Sequence, residues 1–156
     1  MKSALRAFVT FCLILTLAMP AIAAEEVTAE KLGEFYPAQW EGEAMGKASF
    51  SHLQIPGHQK ASTSRLYAFG QAEFIYYDKA DSVYAKRVEK LKAGDKKFED
   101  IEISGCPAVV FTKKRVIADI GGEIIAYLEC YTCESQEDLM ARFEKIDFGG
   151  LKGLVE

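Results

Sequence analysis

The sequence contains few of the residues that mark specialised protein classes. Four prolines and 12 glycines in 156 residues are too few for a collagen-like or low-complexity chain, and four cysteines are too few for a disulfide-dense scaffold. Basic residues do not exceed acidic ones, since 19 Lys and Arg stand against 23 Asp and Glu. Binding to nucleic acid normally requires such an excess. With 49% hydrophobic residues, the composition instead predicts one globular domain with an ordinary core.

Long apolar runs are also scarce, and the one at the N-terminus has the pattern of a secretory signal peptide. Lys2 and Arg6 introduce an uncharged run, residues 7–19, which is shorter than the roughly 20 residues that span a bilayer. A proline ends the run, and the Ala-Ile-Ala of residues 21–23 has the small-x-small form of a cleavage site. The sequence therefore predicts a signal peptide over residues 1–23 and an exported protein, periplasmic or extracellular. An uncleaved N-terminal membrane anchor is the alternative.

Residues 24–156 are predicted to form a single α+β domain. Cleavage would remove two basic residues and no acid, so the net charge would change from −4 to −6. A chain of this size buries roughly two thirds of its unfolded surface, which suffices for a core without metals or disulfides. No further apolar run reaches membrane-spanning length, and a negative charge disfavours docking on anionic lipid. We expect no nucleic-acid partner and no stable membrane insertion after cleavage.

The apolar periodicity predicts two main amphipathic helices and a short N-terminal helix. The N-terminal helix lies within Glu25–Tyr36, with Thr28 as its N-cap. The clearest helical pattern is Asp81–Ala93, in which apolar residues recur every three to four positions. Ser135–Ile146 is the last predicted helix and begins with a capping residue. Leu151–Glu156 is predicted to be a short tail.

The remaining apolar segments predict a largely antiparallel sheet of about five to six strands. In the first half the predicted strands are Lys47–Ile55, Arg65–Phe69 and Glu73–Tyr77. The polar segment Gln59–Ser64 between them is predicted to be an exposed loop. In the second half a meander of three strands is predicted, comprising Pro107–Lys113, Arg115–Ile120 and Glu123–Tyr131. Each half would run from strands into one helix, which raises the alternative of a degenerate repeat of residues 47–93 and 107–146.

The glycine pair at residues 121–122 predicts the register of the last hairpin. A two-residue Gly-Gly turn would place Ile120 opposite Glu123. One face of the hairpin would then consist of Val116, Ala118, Ile120, Ile125 and Tyr127. Since the residues of the other face are also apolar, the hairpin is predicted to be central in the sheet and covered on both sides.

A C-x-x-C sequence, Cys130-Tyr131-Thr132-Cys133, is the main chemical motif. It lies between a predicted strand and a predicted helix, where the positive end of the helix dipole stabilises a thiolate. This placement is typical of thiol–disulfide exchange, although an inert local disulfide or two packed thiols would have the same sequence. A c-type haem is excluded, because Glu134 follows the motif where attachment requires histidine. A zinc site would need a second paired motif, which is missing.

The predicted meander also predicts which cysteines can pair. Cys106 would lie at the Gly121–Gly122 end of the sheet and Cys130 at the Lys113–Lys114 end, about 26 Å apart along the strands. A disulfide tolerates Cα atoms no more than roughly 7 Å apart. We therefore predict that any disulfide joins Cys130 and Cys133 and leaves Cys106 as a covered, unpaired thiol.

No set of residues in the sequence has a catalytic arrangement. His52 and His58 are the only histidines, and the sequence identifies no orienting partner for either. The serines lack the glycine context of a nucleophile elbow, and the isolated glycines form no phosphate-binding loop. We expect no catalytic residues, no cofactor and no metal site.

Aromatic residues are concentrated in the first half of the chain, where core packing is their usual role. Trp40, Tyr76 and Tyr77 are the candidates for a ligand or partner surface. Tyr76 and Tyr77 must point to opposite faces of a strand, so one of them is expected to be exposed or to line a groove. The predicted function is a non-catalytic domain that binds a small ligand or an exported protein partner. A redox protein using Cys130 and Cys133 is the alternative.

Overall fold

Alternating and apolar segments of the chain form seven strands of one antiparallel sheet within the described residues. The computed structural model describes residues 26–55, 58–77, 81–112 and 114–156, so the predicted signal peptide lies outside the described residues. The strands are β1 (Ser49–Ile55), β2 (His58–Tyr67), β3 (Gly70–Tyr77), β4 (Phe98–Ile103), β5 (Cys106–Phe111), β6 (Arg115–Ile120) and β7 (Ile124–Cys130). Their order across the sheet is β1-β2-β3-β7-β6-β5-β4. The predicted α+β class with an antiparallel sheet is therefore confirmed.

Helices pack on both faces of this sheet. They are α1 (Ala29–Gly33), a 3₁₀ helix (Ala38–Glu43), α2 (Asp81–Gly94), α3 (Gln136–Phe143) and α4 (Phe148–Lys152). We call the face beneath α2 the α2 face and the opposite one the main core face. The main core face carries the buried side chains of all the other helices, among them Leu32, Trp40, Leu139, Phe143 and Leu151. On the α2 face, Val88 of the helix packs against apolar residues of the central strands.

Side-chain caps fix where three of these helices begin. The hydroxyl of Thr28 accepts a hydrogen bond from the amide of Lys31 at 3.2 Å, which confirms the predicted N-cap of α1. Ser135 caps α3 in the same way, accepting from the amide of Asp138 at 3.1 Å. Asp147 caps α4, which extends into Leu151–Glu156, the segment predicted to be a short tail.

The prediction of an exposed loop over Gln59–Ser64 is wrong, because this segment belongs to β2. Ala61 and Thr63 point to the main core face and are 1% exposed. Ser62 and Ser64 alternate with them, pairing with Ile75 and Glu73 of β3. The small and hydroxyl-bearing residues of this segment alternate between a buried and a more exposed face, as in any half-buried strand. Because none of them is strongly hydrophobic, the period of two is not visible in the hydrophobicity of the sequence.

The predicted meander of three strands is a meander of four. Phe98–Ile103 forms β4, which pairs with β5 and lies at one edge of the sheet. The sequence did not predict this strand, because three of its six residues are acidic and the segment therefore lacks a strand-like apolar pattern. Charged side chains are common on edge strands, since they oppose pairing with another chain.

The predicted register of the β6–β7 hairpin is wrong by one residue. Ile120 pairs with Ile124 and not with Glu123, so the turn has three residues. Both Gly121 and Gly122 adopt positive φ, at 64° and 76°. A shift of one residue moves every side chain of a strand to the other face. Val116, Ala118 and Ile120 consequently share the main core face with Ile124, Ala126 and Leu128.

The two halves of the chain do not repeat one another in three dimensions. The first half contributes three strands and the second four, within the described residues. The helices that follow them, α2 and α3, lie on opposite faces of the sheet, as the positions of Val88 and Leu139 show. A repeat of strands and helix together is therefore not present.

Candidate functional site

Helix α2 creates a groove because it covers only part of the α2 face. The helix rests on the sheet through the buried Val88 and the partly buried Val83, Tyr84 and Leu91. Its spacing of apolar residues leaves its charged positions on the flanks, where they overhang the neighbouring strands. On one flank the helix and the sheet enclose an open groove of about 650 Å³. This volume is within the usual range for small-molecule sites.

The groove is lined from four elements that come from two separate parts of the sequence. Strand β3 supplies Gln71, Glu73 and Tyr77, β6 supplies Arg115, β7 supplies Tyr127, and α2 supplies Val83, Lys86, Arg87, Lys90 and Leu91. The tyrosine rings and the aliphatic side chains provide apolar contact surface. The remaining side chains provide hydrogen-bond donors and charge, so the groove combines an apolar wall with a polar rim.

Four cations and a single carboxylate line this groove, in a chain whose net charge is −4. Glu73 is the carboxylate, and it is occupied by a short ion pair with Arg87. Lys86 and Lys90 are exposed and form no ion pair within the described part of the chain. Since like charges on one concave surface add their fields, these two lysines give the groove a local positive charge although the chain as a whole is acidic.

Arg87 and Tyr127 are held together at the floor of the groove. The guanidinium of Arg87 lies over the Tyr127 ring, 5.4 Å from its centroid. The Tyr127 hydroxyl donates to the carboxylate of Glu129 at 3.3 Å. Burial, and then the negative charge of Glu129, raise the pKa of Tyr127 well above its usual value. Tyr127 is therefore a neutral phenol at physiological pH and presents its ring, not a negative charge, to the groove.

Arg115 is fixed at the end of the groove by a buried acid. Its guanidinium lies 3.7 Å from the carboxylate of Asp95, which is only 4% exposed. Asp95 also accepts hydrogen bonds from the hydroxyl of Thr112 (3.1 Å) and the amide of Lys97 (3.3 Å). The buried Nε of Arg115 has no hydrogen-bond partner among the described residues. An unpartnered buried donor is costly unless a ligand or water completes it.

A second cavity on the other flank of α2 lacks this surplus of positive charge. It measures about 500 Å³ and includes Tyr84, Pro107 and Val109 in its lining. Its one cation, Lys92, pairs with Asp100 at 3.2 Å and lies over the ring of Phe98. We therefore take the first groove as the candidate site.

Of the three aromatic residues predicted for a binding surface, the structure places one in the groove. Tyr77 lines it, on the α2 face. Tyr76 points to the opposite face and packs against the main core, which confirms that the two tyrosines diverge. Trp40 is 1% exposed and packs edge-on against Tyr67 and Phe69, so its assignment to a surface is wrong. A tryptophan in a short polar segment gives no sequence signal that distinguishes a core anchor from an exposed ring.

His52 has an orienting partner that the sequence did not reveal. Its Nε2 lies 3.1 Å from a carboxylate oxygen of Glu30 in α1. A backbone hydrogen bond and then His52 lower the pKa of Glu30. Both side chains are about half exposed, where water screens the interaction. The side chain of His58 lies outside the described residues.

The cysteines are arranged as predicted. A disulfide joins Cys130 and Cys133, whose Cα atoms are 5.6 Å apart. Cys106 is a free thiol, 3% exposed, and burial raises its pKa. It lies next to Ile103 at the opposite end of the sheet from Cys130, whose amide donates to the carbonyl of Lys114.

The cationic groove residues were not predicted as a site. Lys86 and Lys90 are four positions apart on α2, which is also the pattern of an ordinary solvated helix face. Arg87 of α2 and Arg115 of β6 line the same groove only because β6 lies two strands from β3 in the sheet. That adjacency depends on strand order, which residue spacing does not encode.

Comparisons with known proteins leave the function to be argued from the groove itself. No protein family, curated protein or solved structure matches this chain significantly. No helix within the described residues is long and apolar enough to cross a membrane. The same residues contain no cluster of three or more His, Cys, Asp or Glu side chains that could hold a metal ion.

Proposed function

We propose that this protein is an exported, non-catalytic binding protein whose groove beside α2 takes a small organic anion with an aromatic or aliphatic body. The observation that carries the proposal is the surplus of positive charge in the groove, where Arg87 and Arg115 are paired with acids but Lys86 and Lys90 form no ion pair among the described residues, on an otherwise acidic chain. A charge arrangement of this kind raises the local concentration of anions and their rate of association.

In this proposal each part of the groove has its own role. Lys86 and Lys90 on the rim attract the anionic group of the ligand, since neither is engaged by an acid in the described chain. Tyr77 and Leu91 provide apolar contact for its body. Arg115, held by Asp95 at the end of the groove, adds a further guanidinium to its lining.

Two features support an exported location. The segment of residues 1–23 has the charge, apolar length and small-residue exit of a signal peptide. The Cys130–Cys133 disulfide is a bond that persists in oxidising compartments and is rare in the cytoplasm. Cleavage after residue 23 is checked by N-terminal sequencing of the protein recovered from outside the cytoplasm.

Benzoate and its neutral isostere benzamide provide the test of the groove. Amide chemical shifts of the isotopically labelled protein are followed by NMR while each compound is added. We expect benzoate to perturb amides of α2, β3 and β7, and to bind more weakly as salt is raised. Benzamide should bind far more weakly, because it has the same shape without the charge.

Paired variants separate the groove from general surface charge. Lys86→Gln combined with Lys90→Gln should weaken benzoate binding by about tenfold, since each screened charge contributes up to about 1 kcal/mol and 1.4 kcal/mol is tenfold. The control, Lys47→Gln combined with Lys96→Gln, removes the same charge away from the groove and should leave the affinity within about twofold. Equal losses in both pairs, or shifts located elsewhere in the protein, would refute the assignment.

A further inference from the structure

We propose that the Cys130–Cys133 disulfide undergoes exchange with small carboxylate-bearing thiols, and that the attacked sulfur is that of Cys133. This site is separate from the groove and depends on different residues. The disulfide lies where β7 ends, just before α3, and the two sulfurs have unlike surroundings.

Cys133, and not Cys130, lines the cavity beside the disulfide in the described part of the chain. Cys130 is 1% exposed and belongs to the main core. Cys133 is also buried, but it lines a cavity of about 440 Å³ whose charged residues are two cations and two acids, Arg142, Lys145, Glu43 and Asp138. A cavity of this volume fits a small thiol and not a folded protein. Since exchange requires the thiolate to reach a sulfur atom, the cavity makes Cys133 the accessible end of the disulfide.

Sγ of Cys130 is the leaving group of the exchange. The backbone amide of Cys133 donates a hydrogen bond to Sγ of Cys130 at 3.1 Å. Hydrogen bonds to the charged form stabilise a thiolate, and a more stable thiolate is a faster leaving group. The N-terminus of α3, capped by Ser135, lies just beyond the motif. Its dipole favours a thiolate at either cysteine, so it is the hydrogen bond that distinguishes Cys130.

The cations of the cavity determine which thiols would enter. Arg142 is engaged by Glu43 at 3.1 Å and lies over the ring of Phe69. Asp138 accepts a hydrogen bond from the amide of Glu134 at 3.2 Å. Lys145 lines the same cavity and forms no ion pair within the described residues. Its ammonium group would attract a thiol that carries a carboxylate, as glutathione does, over an uncharged thiol of the same size.

The exchange proceeds in two balanced steps. A thiolate attacks Sγ of Cys133, so that a mixed disulfide forms there while the bond between the two protein sulfurs breaks. Its electron pair passes to Sγ of Cys130, which becomes a thiolate held by the Cys133 amide. A second thiolate then attacks the sulfur of the first thiol, releasing a small-molecule disulfide and the thiolate of Cys133. Two small thiols are oxidised and the protein disulfide is reduced.

The test starts from the wild-type protein in reduced glutathione under native conditions. Samples are quenched with acid, alkylated and mapped by mass spectrometry without reduction. We expect a transient glutathione adduct on Cys133 and alkylation of Cys130 in the same molecules, while Cys106 stays unmodified. An adduct on Cys130, or a disulfide that persists in excess reduced glutathione until the protein is denatured, would overturn the proposal.

Single-cysteine variants of the motif test the asymmetry in the opposite direction. Cys130→Ser leaves Cys133 as a thiol, and Cys133→Ser leaves Cys130. With oxidised glutathione, the first variant should form its mixed disulfide at least tenfold faster than the second. If either variant fails to fold, as circular dichroism would show, the adduct position in the wild-type protein decides alone. Equal rates in folded variants would contradict the assignment of Cys133.

The role of Lys145 is tested with matched charge variants and two thiols. Lys145→Gln should slow the reaction with glutathione about threefold at low salt and leave the reaction with 2-mercaptoethanol, which has no carboxylate, unchanged. Lys47→Gln, outside the cavity, should alter neither rate. Slowing of both thiols by Lys145→Gln would show that the residue does not select carboxylates and would refute this part of the proposal. None of these variants changes the groove, so the benzoate experiment can fail or succeed independently.

Discussion

Asp95 connects three parts of the fold through a single carboxylate. It directly follows α2, is almost completely buried, and accepts from Thr112 and Lys97 while facing Arg115. A buried carboxylate is tolerated only when donors and an opposite charge surround it. Through these contacts, Asp95 holds the end of α2 above the sheet and directs Arg115 toward the groove.

Replacing this carboxylate with an amide should destabilise the fold. Asp95→Asn keeps the size but removes the charge facing Arg115, and we expect a loss of about 1–3 kcal/mol of unfolding free energy, measured by urea denaturation. Asp100→Asn is the control, because Asp100 is exposed and its ion pair among the described residues is with Lys92. Its cost should be under about 0.5 kcal/mol. Similar costs for both variants would contradict the role given to Asp95.

Lys114 adopts a backbone conformation that favours glycine, with φ at +62°. Relief of this strain in Lys114→Gly should exceed the entropy cost of glycine and raise stability by about 0.5–1 kcal/mol. Lys90→Gly makes the same chemical change inside α2, where it should instead lower stability by about 1 kcal/mol. The two melting temperatures should therefore shift in opposite directions, and a decrease for Lys114→Gly would rule out strain at this turn.

At the scale of elements, the close approach of β3 and β7 depends on a glycine. Gly70 pairs with Cys130, and a Cβ placed on it would lie 1.9 Å from the carbonyl oxygen of Glu129. Because the obstacle is backbone, the strands would have to separate. Gly70→Ala should cost more than about 2 kcal/mol in urea denaturation. Gly42→Ala, where a Cβ meets nothing within 4 Å, should be nearly neutral, and equal effects would show that strand spacing is not the cause.

The elements themselves followed from the sequence more closely than their pairing did. β6 was predicted with its observed bounds, because Arg115–Ile120 lies between clear turn residues. The register of β7 was not, because Ile124–Leu128 is apolar at every position and either alignment therefore places apolar side chains on both faces. In such a hairpin the turn length alone decides the register, and a Gly-Gly pair is compatible with turns of two or three residues.

At the scale of the whole molecule, burial alters the titration of several tyrosines together. Burial raises the pKa of Tyr67 and of Tyr84 to about 12, and raises the pKa of Tyr36 and Tyr127 as well. The fold therefore favours the neutral phenol at each position. Below pH 10 these residues are protonated in both the folded and the unfolded chain, so their contribution to stability is fully present there.

Stability should consequently fall as the pH rises from about 10 through 12. In this interval the unfolded chain loses phenolic protons that the folded chain retains, which favours unfolding. Urea midpoints measured across the interval should decrease, and absorbance at 295 nm should show some tyrosines ionising late in the native protein but near pH 10 in urea. Native tyrosines that all ionise near pH 10, with constant urea midpoints, would contradict this prediction.

The candidate site belongs to this scale as well, which explains why the sequence revealed little of it. Tyr77 was predicted because adjacent aromatic residues in one strand must face opposite ways. The cations that give the groove its charge come from α2 and β6, and they meet only in the assembled sheet. The cysteine pairing, in contrast, was predicted from strand direction alone. It survived the error in register, because one residue along a strand is small compared with the length of the sheet.

The strand order also has a consequence for the rate of folding. Among the described strands, every pairing joins neighbours in the sequence except that of β3 with β7, which connects residues such as Ile75 and Ile125. Hairpins close over short loops and form early. Closing a loop of about 50 residues has a larger entropic cost, and this cost arises before the contacts between the two strands can offset it. We therefore expect the meander β1–β3 and the meander β4–β7 to form independently, and the pairing of β3 with β7 to join them last. The amides that β3 and β7 share should therefore exchange with solvent only when the whole molecule opens.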